Sequence, residues 1–108
     1  MFDINGVAWN LIFVSADSDL LKRSDGSVTV GMTDATTHTI YLCNRLRGDF
    51  LHKVVRHELC HAYCISYGIY LPIQYEEILC DSLATYGESI IDMSKCINKN
   101  LCKYYGKC

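Results

Sequence analysis

From Gly48 to Gly68 the chain runs GDFLHKVVRHELCHAYCISYG, and here apolar residues return at helical rather than strand spacing. Leu51, Val54, Val55, Ala62 and Ile65 gather on one arc of a helical wheel, with Lys53, Arg56 and Tyr67 opposite. The spacing therefore predicts an amphipathic helix with one buried face and one wet face. Asp49 reads as its N-cap and Gly68 as the residue just past its end. With 108 residues, half of them hydrophobic, the chain has material for a single core, so one domain over 1–108 is expected to form around this helix.

Inside the helix stands His57-Glu58-Leu59-Cys60-His61, an HExxH pattern. A helix turns about 100° per residue, so His57 and His61 lie one turn apart on nearly the same face and both imidazoles can reach one ion. Neutral imidazoles with a carboxylate suit Zn2+, the expected cofactor. Glu58 is turned toward the edge of the buried face, where it meets a metal-activated water rather than the metal, and it is the expected catalytic base.

A third protein ligand is sought in the later stretch Tyr75-Glu76-Glu77-Ile78-Leu79-Cys80-Asp81. Glu77 is preferred over Glu76, because Asp81 lies one turn beyond Glu77 on the same face. There it can accept the free ring N–H of His57 or His61 and fix its tautomer. Glu76 points about 100° away and remains the alternative ligand. Cys64 borders the ligand face and is the candidate for closing a purely structural site, whereas Cys60 is expected on the wet side and Cys80 as core filler. His38 and His52 have no partner at ligand spacing and are expected to be solvated. Tyr75 is a candidate oxyanion donor, and Tyr86 is rejected because it lies opposite Glu77.

The remaining pattern predicts an α+β fold with a small three-stranded sheet, antiparallel or mixed, packed on the two helices. Val7 to Val14 reads as a first strand with Trp9, Leu11 and Phe13 on one side. Leu20 and Leu21 suggest a short helical turn, and Asp25-Gly26 a turn before a second strand, Ser27 to Met32. A third strand, Thr37 to Cys43, follows the TDAT connection. Pro72 reads as a first-turn proline of a second long helix carrying the stripe Leu79, Leu83, Tyr86, Ile90, Met93 and Ile97. Gly87 marks a site for a bend, and residues 99–108 are expected to fray.

A net charge of −2 excludes a basic surface for nucleic acid or an anionic membrane, so a protein or peptide partner is expected, with oligomeric state left open. The first residues, MFDINGVAWNLIFVSAD, lack Lys and Arg, and their apolar run is too short for a leader or a span, so a cytoplasmic location is expected. The seven cysteines are odd in number, and reduced thiols are the expectation. Cys96, Cys102 and Cys108 recur every six residues without CxxC spacing, and no function is assigned to them.

RHELCHA followed by EExxxD, with Trp9 in an early strand and GMTDATTHTIYLCNRL leading into the HExxH helix, resembles the ImmA/IrrE-like group of small phage and mobile-element metallopeptidases, relatives of the gluzincins. The likeness spans most of the chain, and its specific part is the pair of motifs. It implies a minimal zincin-like core and a zinc-dependent endopeptidase that cuts a regulatory protein, with Ile40 to Cys43 as an edge for β-addition of substrate. The alternative expectation is a catalytically silent protein of the same fold that acts by stoichiometric association, as a phage-encoded inhibitor or regulator.

Overall fold

A computed structural model describes residues 1–105 and contains four strands and two long helices. The strands are β1 (Phe2–Ile4), β2 (Val7–Val14), β3 (Gly31–Asp34) and β4 (Thr39–Cys43); the helices are α1 (Gly48–Ser66) and α2 (Ile73–Tyr105). The sheet has four strands rather than the expected three, in the order β1-β2-β4-β3. The additional strand comes from Asn5-Gly6, both at positive φ (52° and 80°), which close a tight hairpin and pair Phe2 with Trp9 antiparallel.

The sheet is mixed. β4 lies between β2, to which it is parallel (Leu11 beside Ile40, Phe13 beside Leu42), and β3, to which it is antiparallel (Gly31 beside Leu42). Being interior, β4 has Thr39, Ile40, Leu42 and Cys43 buried. The expected edge role of Ile40 to Cys43 is thereby corrected: the outer strand on that side is β3. The second strand is also shorter than its alternation suggested. Val28 meets only Lys22, across a small turn at Asp25-Gly26, and the ladder starts at Gly31. The expected turn at Leu20 and Leu21 is present as a 3₁₀ turn, Asp19–Leu21, which buries Leu21.

The core joins Ile4, Trp9, Leu21, Ile40, Leu42 and Leu46 to Val54 and Ala62 of α1. Trp9 is fully buried and donates from Nε1 to Ser66 Oγ at 2.8 Å, which pins the last turn of α1 to β2. Phe13 is half exposed and lies outside this core. The N-cap of α1 is Arg47 rather than Asp49, which sits in the first turn where its charge suits the helix dipole. Gly68, at φ +67°, closes the far end as expected.

α2 starts directly after Pro72, whose carbonyl accepts from the N–H groups of Tyr75 and Glu76, and runs unbroken past Gly87 for 33 residues. Residues 99–105 continue it, where fraying was expected; 106–108, with Cys108, lie outside the described residues. Among the described residues its buried positions are Cys80 and Ala84, whereas the apolar stripe is exposed: Leu79, Leu83, Tyr86, Ile90, Met93 and Ile97 all face outward. Among the described residues, no helix is long and apolar enough to cross a membrane.

Candidate metal centre

α1 and α2 pack together so that His57 and His61 face Glu76, Glu77 and Asp81. His57 Nε2 and His61 Nε2 stand 3.3 Å apart. Glu77 places Oε2 3.3 Å from His57 Nε2 and Oε1 2.9 Å from His61 Nε2. These three side chains form a group whose ligand atoms all lie within 4.8 Å of one another, so they could hold a metal ion. The spacing has the right size, because two ligands about 2.0–2.1 Å from a tetrahedral centre stand roughly 3.3–3.4 Å apart.

The outer edges of both rings are also held by carboxylates. Asp81 Oδ1 lies 2.9 Å from His57 Nδ1, and Glu76 Oε2 lies 2.5 Å from His61 Nδ1. Carboxylates accept, so with an ion at the inner edge each Nδ1–H would donate to Asp81 or Glu76 and each Nε2 would offer its lone pair. Two lone pairs and a carboxylate then converge on one spot, an arrangement that a cation between them satisfies. The donor set of two imidazoles and a carboxylate thus fits a divalent ion.

Asp81 takes the position expected of it. Glu76 does not stand idle, as its angle on the wheel suggested. An imidazole has nitrogens on two edges, and two carboxylates about 100° apart on α2 are what embrace the His61 ring from both sides.

Glu58 is buried beside the pair, with Oε2 3.9 Å from His57 Nε2. Its other oxygen, Oε1, accepts from Thr33 Oγ1 at 2.9 Å, and the same hydroxyl lies 3.1 Å from the Glu58 carbonyl. Thr33 belongs to β3, so the outer strand orients the carboxylate on the helix. Burial pushes the Glu58 carboxyl above its usual range, and the Thr33 hydrogen bond and the two imidazoles oppose that shift. Gly31, also on β3, allows this approach: a Cβ there would stand 2.9 Å from Val54 Cγ1 and 3.0 Å from Glu58 Cγ. Thr33 and Gly31 carry no motif that the sequence reading could use.

Comparison with family models, with curated proteins and with solved structures finds no match.

The cysteines lie apart from the three-residue group. Cys60 is buried rather than on the wet side, and with Cys64 and Cys80 it packs in the α1–α2 interface. Burial first, and the neighbouring Cys60 next, push the Cys64 and Cys80 thiols up. Cys43 and Cys96 are free as expected, whereas Cys102 is disulfide-bonded, which corrects the all-reduced expectation at that residue. His38 is structural rather than simply solvated: at φ +50° it ends the β3–β4 turn, its carbonyl accepts from Asn10 N, and its ring lies 5.0 Å from Trp9. His52 and Tyr75 are exposed.

A cleft of about 710 Å³ opens over the centre, lined by Gly31, Met32 and Thr33 of β3, by His57, Glu58 and His61, and by Glu76 and Glu77. Its size is that of small-molecule and peptide sites, and the outer strand β3 forms one wall.

Proposed function

We propose that this chain is a zinc-dependent endopeptidase of the ImmA/IrrE-like, zincin type, with His57, His61 and Glu77 as ligands and Glu58 as the catalytic acid–base. The observation that carries the reading is the convergence of two Nε2 lone pairs and the Glu77 carboxylate at ligand spacing, with a buried carboxylate beside them that is not itself a ligand. Zinc in such a site supplies Lewis acidity, lowering the pKa of a water to about 7 and polarising a carbonyl.

The protein's own groups do the rest. Thr33 holds Oε1 of Glu58, leaving Oε2 toward the cleft to take a proton from the attacking water and return it to the leaving amine. A carboxyl raised by burial suits both acts, since it gains and loses a proton closer to neutrality than an exposed glutamate. Asp81 and Glu76 keep the imidazoles in the Nδ1–H tautomer and fix their orientation. An extended peptide laid along the free side of β3 would add a strand to the sheet and pass over the centre.

The test is turnover of a fluorescence-quenched peptide library by zinc-loaded wild type and Glu58→Gln protein. Loss of about 100-fold or more, with zinc content unchanged, is the expected result. Equal cleavage by both proteins would refute the role of Glu58. A wild type that binds a protein partner tightly but never turns over would favour the silent, stoichiometric reading.

A further inference from the structure

The first half of α2 is held to the body by the metal-site carboxylates, by buried Cys80 and Ala84, and by Arg56, which donates to the Ala84 carbonyl and pairs with Glu88 at 3.0 Å. Beyond Glu88 no side chain of the helix is buried among the described residues. At 1.5 Å per residue the helix is about 50 Å long, so roughly half of it has no cover from the rest of the fold. That exposed length is not polar. Leu79, Leu83, Tyr86, Ile90, Met93 and Ile97 recur at alternating steps of four and three, which is a coiled-coil seam, and each is 41–63% exposed. The seam is centred about 100–160° round the helix from Cys80, Ala84 and Glu77, so from Leu83 onward it is separate from the metal centre.

We propose that this face is the interface of a homodimer in which α2 pairs antiparallel with α2 of a second copy. Three features select a second copy as the occupant. The positions flanking the seam are Ser82, Gly87, Ser89, Ser94 and Cys96, small and uncharged, so a second helix can approach closely without burying a charge. The charges along α2 are segregated: Glu76, Glu77, Asp81, Glu88 and Asp92 precede Lys95, Lys99 and Lys103. An antiparallel crossing near residues 93 and 94 sets Glu88 and Asp92 against Lys99 and Lys95 of the second copy and brings Ile90 opposite Ile97; a parallel one sets like against like. Last, the half-exposed seam side chains offer on the order of 600 Å² per copy, at the lower end of the roughly 600–1,000 Å² per partner of stable interfaces. The charges sit off the seam, so they bias orientation through the longer-range field, while the apolar side chains supply the affinity.

The experiment is sedimentation velocity on the full chain, with and without reductant, for wild type and for Ile90→Glu/Ile97→Glu. Both positions are at least half exposed, so the substitutions leave the monomer fold intact, and an unchanged zinc content confirms it. We expect a dimer at about 100 µM for wild type in both conditions and a monomer for the double variant. Orientation is read from Glu88→Lys/Asp92→Lys and Lys95→Glu/Lys99→Glu. Each alone should dimerise several-fold more weakly than wild type at low salt, their mixture should recover, and the differences should fade at about 0.5 M salt. A wild type that is monomeric at about 100 µM, that dimerises only without reductant, or that stays dimeric after Ile90→Glu/Ile97→Glu overturns the proposal. Charge variants that dimerise as well as wild type overturn its antiparallel arrangement.

Discussion

At Gly31 the backbone of β3 passes so near Glu58 that no side chain has room, and Gly31→Ala puts that close approach to the test. The added methyl would lie 2.9 Å from Val54 Cγ1, 3.0 Å from Glu58 Cγ and 3.2 Å from Glu58 Cδ. Carbon pairs rest at about 3.5–4.0 Å, so the two closest contacts are short by roughly half an ångström or more. Val54 is buried and β-branched, with essentially one rotamer open to it in a helix, so it cannot turn away. Either β3 and α1 move apart or Glu58 leaves its place against Thr33. Overpacking of this kind costs about 1–3 kcal/mol. In a domain of this size that is a fall in Tm of roughly 5–15 °C. Calorimetry measures the fall, and peptide turnover measures the displacement of Glu58. Zinc affinity should change by less than about threefold, because the ligands are on α1 and α2, away from the methyl. Gly31→Ala/Val54→Ala removes the shortest contact and should recover much of the stability but not the turnover. If Gly31→Ala melts within about 1 °C of wild type and turns over normally, β3 does not press on Glu58 as described.

Other substitutions separate the roles of neighbouring carboxylates and of the turn. Asp81→Ala and Glu76→Ala should each weaken zinc binding about 10–100-fold in a chelator competition, and Glu77→Ala should weaken it more than either. Thr33→Val should keep zinc affinity while lowering turnover, since its hydroxyl touches Glu58 and no metal ligand. Asp34 accepts from the Thr36 and Thr37 N–H groups, and these bonds hold its carboxyl below the ordinary 3.8. A lowered folded value stabilises the native state above the unfolded pKa, and the contribution is lost as pH falls through the folded one. Asp34→Ala should therefore lower Tm at pH 7, and its gap from wild type should close on acidification below about pH 4; a gap that widens in acid would contradict this.

Much of the centre was legible because helical periodicity is a local property. His57 and His61 share a face by spacing alone, and Asp81 follows Glu77 by one turn, so the pairings of one helix with one helix could be read before any tertiary contact was known. Glu76 could not, since its use depends on how the second edge of the His61 ring meets α2. Thr33 and Gly31 were hidden for the same reason, being placed against Glu58 only by packing of β3 on α1. The missed strand β1 did have a local signal: Asn5-Gly6 is a hairpin turn, and it stood directly before the segment read as the first strand. Cys60 shows the converse error, expected on the wet side and found buried. An apolar stripe marks a face that seeks cover, and on α2 the fold covers the other face, through Cys80 and Ala84.

X-ray absorption at the zinc edge on protein loaded with one equivalent tests the centre most directly, since it reports the ligand atoms themselves. We expect a shell of nitrogen and oxygen at about 2.0–2.1 Å with imidazole scattering from two rings, and loss of stoichiometric binding in Glu77→Ala. A sulfur shell at about 2.3 Å, or zinc that fails to bind wild type stoichiometrically, would contradict ligation by His57, His61 and Glu77.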